Sequence, residues 1–466
     1  MQVVPQIYRG LGAVVLPWVL LSCGCGGGRT PLAPATGNAR PFKPGPTPSS
    51  PPGVRPEPSG LCAPGLDLCG QGSAAFCFDL QTSASNCGAC GKQCPLGIPC
   101  ESGRCRLYRC QGNVTMKVLA TQSRGGVDTE MAVGDLDGDG YLDMVSGSET
   151  QQLFQFGSAA SASSFLGKGD GTFATKASFP VANPTGVSGW YSAVADLNRD
   201  GVLDLVTTSP VQDSITVRQG TGDGSFLTGT DYVMGAGPAG IVLADLNADG
   251  IPDIATAGQM DSVVSLRFGI GDGTFGERTA LPLVGSPYRL AYVDWNQDGI
   301  PDLIASDNFL HIFLGLGSGS FAKAVDCGLS LNHYGWSPAA VLADFDQDGR
   351  LDLAMGYGVL FGMNGCNFAS RFDYPDWWPL VADDFNGDGL PDLVVTTTAM
   401  MVTNGQAVAL FISGGAAGLN GPANLANIDN LGDSSTAVSG DLNGDGRLDL
   451  VVSGMGGVYV LLNTCQ

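Results

Sequence analysis

The chain has 466 residues, with 44 acidic against 22 basic side chains and a formal charge of −22. No basic stripe exists to neutralise phosphates, which excludes nucleic acid as a partner. Its two histidines, His311 and His333, lie in no nucleophile or zinc motif, so the chain reads as non-catalytic.

Residues 1–22 carry one basic residue, Arg9, followed by an apolar run from Leu11 to Leu21 that is too short to span a bilayer. This reads as a signal peptide. Leu20-Leu21-Ser22-Cys23 resembles a bacterial lipobox, which implies that Cys23 becomes a lipidated N-terminus. The expected place is then the bacterial cell envelope, with the membrane met only through that anchor; an ordinary secretory signal is the alternative. Residues 23–61 form a Gly/Pro-rich linker with ten prolines between Pro31 and Pro58, which buries no core and serves as a semi-rigid spacer.

Residues 62–110 hold Cys62, Cys69, Cys77, Cys87, Cys90, Cys94, Cys100, Cys105 and Cys110. So small a segment needs staples to fold. The Cys87/Cys90 pair allows zinc, but the module has no histidine and export implies an oxidising compartment, so disulfides are the stronger reading. The segment from Phe76 to Cys105 resembles the cysteine-rich repeat of stigma-specific proteins, which implies no activity.

From 111 to 466 the chain is one repeat array, marked by seven acidic loops. In the first, Asp135, Asp137, Asp139, the carbonyl of Tyr141 and Asp143 stand at positions 1, 3, 5, 7 and 9. A hard cation such as Ca²⁺ takes six to eight oxygens, which this spacing gathers in one volume. Gly140 at position 6 calls for a positive φ. The same sets recur as Asp196, Asn198, Asp200, Val202 and Asp204; Asp245, Asn247, Asp249, Ile251 and Asp253; and Asp294, Asn296, Asp298, Ile300 and Asp302. Three more follow: Asp344, Asp346, Asp348, Arg350 and Asp352; Asp384, Asn386, Asp388, Leu390 and Asp392; and Asp441, Asn443, Asp445, Arg447 and Asp449. Position 12 holds no glutamate, against an EF-hand, and a β-branched strand rather than a helix follows each loop. These loops contain 23 of the 44 acidic residues. Seven Ca²⁺, each adding two charges, would bring −22 to −8 and relieve self-repulsion.

The loops begin 61, 49, 49, 50, 40 and 57 residues apart, and glycine turns such as FLGKGDGTF, ending at Phe173, lie between them. Each unit reads as four short strands, and seven such units predict an all-β, seven-bladed β-propeller. Only two strands follow the last loop, so Asn113–Thr121 is expected to complete the seventh blade. Cys110 and Cys465 then face each other as a closing disulfide. Cys327 and Cys366 are harder: counted from the equivalent Phe321 and Phe368 they stand roughly 26 Å apart along the strand direction, which opposes a bridge. The short fifth and the altered sixth units are expected to be the least regular.

The array resembles FG-GAP or VCBS-type repeats, related to the propeller of integrin α subunits. The resemblance implies that the calcium loops join first to second strands on a lower face, and that ligands meet the upper face. On that upper side the links carry Trp190, Tyr191, Tyr288, Tyr334, Trp336, Trp377 and Trp378, together with an insertion from Glu149 to Ala160. These aromatics are either ligand anchors or wedges between blades, with Trp378 foremost among the wedges. The function expected is a monomeric, surface-displayed calcium propeller binding a protein partner. The alternative is a lectin with sugar sites between blades.

Overall fold

The computed structural model describes residues 114–465 apart from 123–130, 149–160, 181–190, 308, 330–339, 357, 364, 374–376, 398–405, 416–418, 429–435 and 455–456. Before residue 114 it describes 67–69, 76–78, 81, 98, 100–101, 104–105 and 109–110. Signal peptide, linker, Cys23 and most of the cysteine-rich module therefore lie outside the described residues. Among those described, no helix is long and apolar enough to cross a membrane.

Seven four-stranded antiparallel sheets follow one another along the chain. The second blade shows the pattern: Ser192–Ala195, Asp204–Ser209, Ser214–Arg218 and Thr230–Val233 pair in sequence order. The strand after each loop is the most buried; every residue of Asp204–Ser209 is covered. Both faces of that strand meet neighbouring blades, which explains why its sequence is a continuous apolar and β-branched run rather than an alternation. The outermost strand Thr230–Val233 is mostly exposed. The core is accordingly a ring of clusters between blades. In one of them Leu246 and Leu266 of the third blade meet Leu290, Leu303 and Phe313 of the fourth.

The ring closes with a strand from each end of the array. Met116–Gln122 pairs with Gly457–Asn463, from Asn463 against Met116 to Val458 against Gln122, and completes the sheet begun by Thr436–Gly440 and Asp449–Gly454. Cys110 and Cys465 are disulfide-bonded, with Cα atoms 5.8 Å apart. The end of the cysteine-rich segment also packs on the ring. Ile98 and Val114 belong to the buried cluster of the sixth and seventh blades, and the Cys110 N–H donates to the Asn386 carbonyl at 2.7 Å. Cys100 and Cys105 are both disulfide-bonded.

Two expectations need correction. Cys327 and Cys366 are bonded, with Cα atoms 5.1 Å apart. The strand-length estimate failed because the fourth blade has no continuous outer strand. Ser320–Phe321 pairs with Gly315–Gly317 in a ladder of its own, and only Val325–Asp326 rejoins the sheet, against Ile312 and His311. The glycine turn of the fifth blade also leans onto the fourth, where Trp295 Nε1 donates to the Gly365 carbonyl at 3.0 Å. Both cysteines pack against the same cluster as Trp295 and Phe368. The second correction concerns regularity. The expected irregularity holds for the sixth blade, which has register shifts in its first and last strand pairs, but not for the fifth, which keeps four strands with one shift. The fourth, which nothing in its spacing singled out, has the two-residue outer strand.

The Cys110–Cys465 bond spans 355 residues of sequence and so removes much chain entropy from the unfolded state. Replacing both cysteines by Ala is expected to cost about 2–5 kcal/mol, read as a lower midpoint in reversible denaturation. An unchanged midpoint would mean that strand pairing alone closes the ring.

Candidate metal loops and the two faces

All seven loops connect the first strand of a blade to the second, so they share one face, called lower here. Their geometry repeats atom by atom. The position-1 aspartate accepts the position-6 N–H on Oδ2 at 2.7–3.0 Å. The position-5 aspartate accepts the position-7 N–H on Oδ1 at 2.8–2.9 Å. The glycine at position 6 has φ between +77° and +92° in every loop, the value its identity implied.

Position 9 does something that ligand spacing did not reveal. Asp143, Asp204, Asp253, Asp302, Asp352, Asp392 and Asp449 are all 0% exposed. Each accepts on Oδ2 the N–H of position 2 of its own loop, at 2.7–3.1 Å. Each accepts on Oδ1 the N–H that opens the next turn of its own blade, at 2.6–2.9 Å. That second donor is Gly167, Gly220, Gly269, Gly315 or Gly362 in five blades and Ser413 or Asn463 in the others. The approach is close: a Cβ on Gly167 would stand 2.3 Å from the Leu142 carbonyl. One buried carboxylate thus ties loop, second strand and turn together.

Burial has an electrostatic cost. It pushes Asp143, Asp253 and Asp352 up to about 7, and Asp392 and Asp449 up to about 8, with loop carboxylates adding to the rise and the donated N–H groups opposing it. Asp204 and Asp302 move the same way for the same leading reason. A bound cation would supply opposite charge there. The donor set fits a hard one: carboxylate oxygens of Asp135, Asp137 and Asp143, and of Asp344, Asp346 and Asp348, lie within 4.8 Å of one another.

Position 4 carries a signal that its residue types concealed. It has φ between +60° and +74° in all seven loops, yet four of them place Arg199, Ala248, Gln297 and Gln347 there instead of glycine. A left-handed L-residue costs about 1–2 kcal/mol. Two of these side chains are used: Arg199 Nη2 donates to the Gly250 carbonyl and Gln297 Nε2 to the Gly349 carbonyl, each in the loop of the next blade. Turns reach back the other way, with Ser413 Oγ donating to the Phe345 carbonyl and Asn463 Nδ2 to that of Phe385, both at 2.9 Å.

On the upper face the aromatics mostly pack. Tyr191 is 2% exposed, which corrects its expected place on a ligand rim, and its N–H donates to Thr208 Oγ1. Tyr288 is half-buried against the cluster of the second and third blades. Trp377 meets Phe411 edge-on at 5.7 Å, and the Trp378 ring stands 3.1 Å from where a Cβ on Gly356 would be. Trp190, Tyr334, Trp336, His333 and the Glu149–Ala160 insertion lie outside the described residues. His311 is buried, and its Nε2 is 3.3 Å from Asp307 Oδ1. The exposed large side chains on the upper turns of the second to fourth blades are instead Val211, Val233, Met260, Val284 and Phe309, with Met260 at 75% and Val284 at 85%. Sequence reading passed over them because single apolar residues in loops form no motif.

A family model described as FG-GAP-like repeat matches residues 135–207, 196–256, 245–305, 294–355 and 377–452. The first four matches run from the start of one loop into the strand behind the next. No curated protein sequence matches the chain. Solved structures that do match include an Agrocybe aegerita lectin that recognises non-reducing terminal N-acetylglucosamine, at 17% identity over 78% of this chain and 98% of that one, TM-score 0.48. A complex of BBS1N with ARL6DN matches at 9% identity over 76% and 98%, TM-score 0.46. Saccharomyces cerevisiae Sqt1 matches at 10% over 76% and 100%, TM-score 0.45. Likeness at this level says nothing of ligand or partner.

Replacing Asp302 by Ala removes the acceptor from the buried Gly315 N–H and the half-buried Trp295 N–H, and from the longer bond of the Asn296 N–H. The expected loss is about 1–3 kcal/mol for each orphaned group, measured by denaturation in chelator so that no metal contributes. Glu277→Ala, at an exposed position, is the control and should stay within about 0.5 kcal/mol. Equal stability of Asp302→Ala and wild type in chelator would contradict the clamp.

Proposed function

This chain belongs to the FG-GAP-like repeat family, and from that premise we propose that it is a calcium-stabilised, non-catalytic propeller that holds a protein partner on its upper face. The family is of a kind that often mediates binding. The observation that carries the reading is the set of exposed aliphatics on the side of the ring opposite the acidic loops. Converging oxygens occupy the lower loops, while Val211, Val233, Met260 and Val284 stand uncovered on upper turns of consecutive blades. Uncovered aliphatics of this kind suit a protein surface; the lower glycine turns carry others, Leu227, Ile270, Leu316 and Met363, beside the acidic loops. Sugar recognition draws on exposed aromatic rings, and the described aromatics above the ring are largely packed. His311, paired with Asp307 inside a blade, serves packing in this reading rather than proton transfer. The lipobox-like Leu20-Leu21-Ser22-Cys23 and the proline-rich spacer behind it would set the propeller out from the bacterial envelope.

The loops would hold calcium through the position-1, 3 and 5 side chains, with position 9 serving as both clamp and charge. Bound calcium supplies the positive charge that the buried carboxylates lack. Since it binds the folded ring and not the unfolded chain, added calcium is expected to raise the melting temperature and a chelator to lower it. Identical melting in both, with fewer than four ions by metal analysis, would end the calcium proposal.

Partner binding is tested by capture from envelope extracts of the source cells alongside a glycan array. The Met260→Asp/Val284→Asp variant is expected to lose a captured protein while melting like wild type, and no glycan should bind. Specific binding of one glycan, lost in Trp377→Ala and kept in the aspartate variant, would replace the protein reading with the lectin one.

A further inference from the structure

The seven loops are not electrostatically equal, and the difference lies at position 7. In five of them that residue is Tyr or aliphatic and gives the position-5 carboxylate only its backbone N–H, on Oδ1. In the fifth and seventh loops it is arginine, and the same residue takes both oxygens. Arg350 donates its N–H to Asp348 Oδ1 at 2.8 Å and Nη1 to Asp348 Oδ2 at 2.9 Å. Arg447 donates its N–H to Asp445 Oδ1 at 2.9 Å and Nη2 to Asp445 Oδ2. Among the described residues the other five position-5 aspartates form no ion pair with Lys or Arg.

We propose that Arg350 and Arg447 are resident cations of their loops: each neutralises the position-5 carboxylate from within, so that the loop has a counter-charge without a divalent ion and binds one more weakly. This rests on the reading of the loops as calcium sites. A metal entering either loop meets a fixed positive charge on one of its own ligands, and calcium affinity follows ligand charge. The fifth loop offsets its arginine with a fourth carboxylate, Asp346, whereas the seventh has Asn443 at that position. The first loop has four carboxylates and no basic residue. The order is therefore first loop tightest and seventh weakest.

The placement of Arg447 gives the weak site a purpose. Its Nε donates to the Asn463 carbonyl at 2.9 Å, and the Asn463 amide reaches the Phe385 and Leu448 carbonyls. The Cys465 N–H in turn donates to Asn463 Oδ1 at 3.1 Å. This is the seam where the two ends of the ring meet. A cation covalently part of the chain holds the seam at any calcium concentration, while the remaining loops respond to the ion.

The test is calcium titration by calorimetry at low salt on decalcified full-length protein, comparing wild type with Arg447→Met, Arg350→Met and Arg447→Lys. Each methionine variant should convert one weak site to one about tenfold tighter, the size of a unit-charge contact with a divalent ion across roughly 6 Å of water-like dielectric. The gain should shrink as salt rises. Arg447→Lys, which keeps the charge, should titrate like wild type. In chelator Arg447→Met should melt below wild type, and calcium should restore it. Normal calcium binding with isotherms unchanged by either methionine substitution would overturn the resident-cation proposal and leave the calcium reading standing. Wild type that binds no calcium would overturn both.

Discussion

Every blade depends on a carboxylate with no exposure to water that accepts two backbone N–H groups, one from the loop before its strand and one from the turn after the next. An ionised oxygen bonds amides more strongly than a carbonyl does, and in a covered site neither amide has water as a substitute. The aspartate at position 9 therefore fixes the distance between the two lower connections of each sheet. Seven copies, from Asp143 to Asp449, set that distance around the whole ring. The blades then meet through aliphatic clusters and through contacts such as Trp295 to Gly365, which carry each turn onto the loop of the blade before it.

This arrangement would give a bound metal a second role instead of a first one. The loop is already wound by its own amides: position 1 wraps the turn, position 5 holds position 7, and position 9 anchors the base. Burial is what holds the position-9 carboxylates so far above their ordinary range, with neighbouring loop carboxylates adding to the rise, in the two arginine loops as in the others. A bound cation would offset that burial without having to shape the site. Where the chain does supply charge, at Arg350 and Arg447, the same loop geometry appears unaltered.

Much of this was legible in the residues. A period of about 50 with one acidic loop and one glycine turn per unit leads to seven blades, and the missing outer strand of the last unit leads to Met116–Gln122. What escaped depends on contacts between blades. The positive φ at position 4 is hidden where Arg199, Ala248, Gln297 and Gln347 replace glycine, and the bonds that Arg199 and Gln297 make to the next loop are displayed by no local pattern. The Cys327–Cys366 bond was missed because rise per residue measures along a strand and says nothing of a turn leaning onto the next sheet. Tyr191 was placed on a rim because link residues and wedge residues have the same composition. The double use of position 9 could have been suspected from its place as the first residue of a strand whose every other position is apolar or small.

The central claim is that the loops are built by carboxylate to amide bonds and only loaded by metal. Hydrogen exchange on calcium-free protein measures those amides directly, at position 2 of each loop and at the opening of each turn, for example Trp295 and Gly315. The account predicts slow exchange at both in chelator, close to that of the second strands, with calcium adding little at these sites. Fast exchange there without calcium, becoming slow only when it is added, would show that the metal builds the loop and would contradict the account.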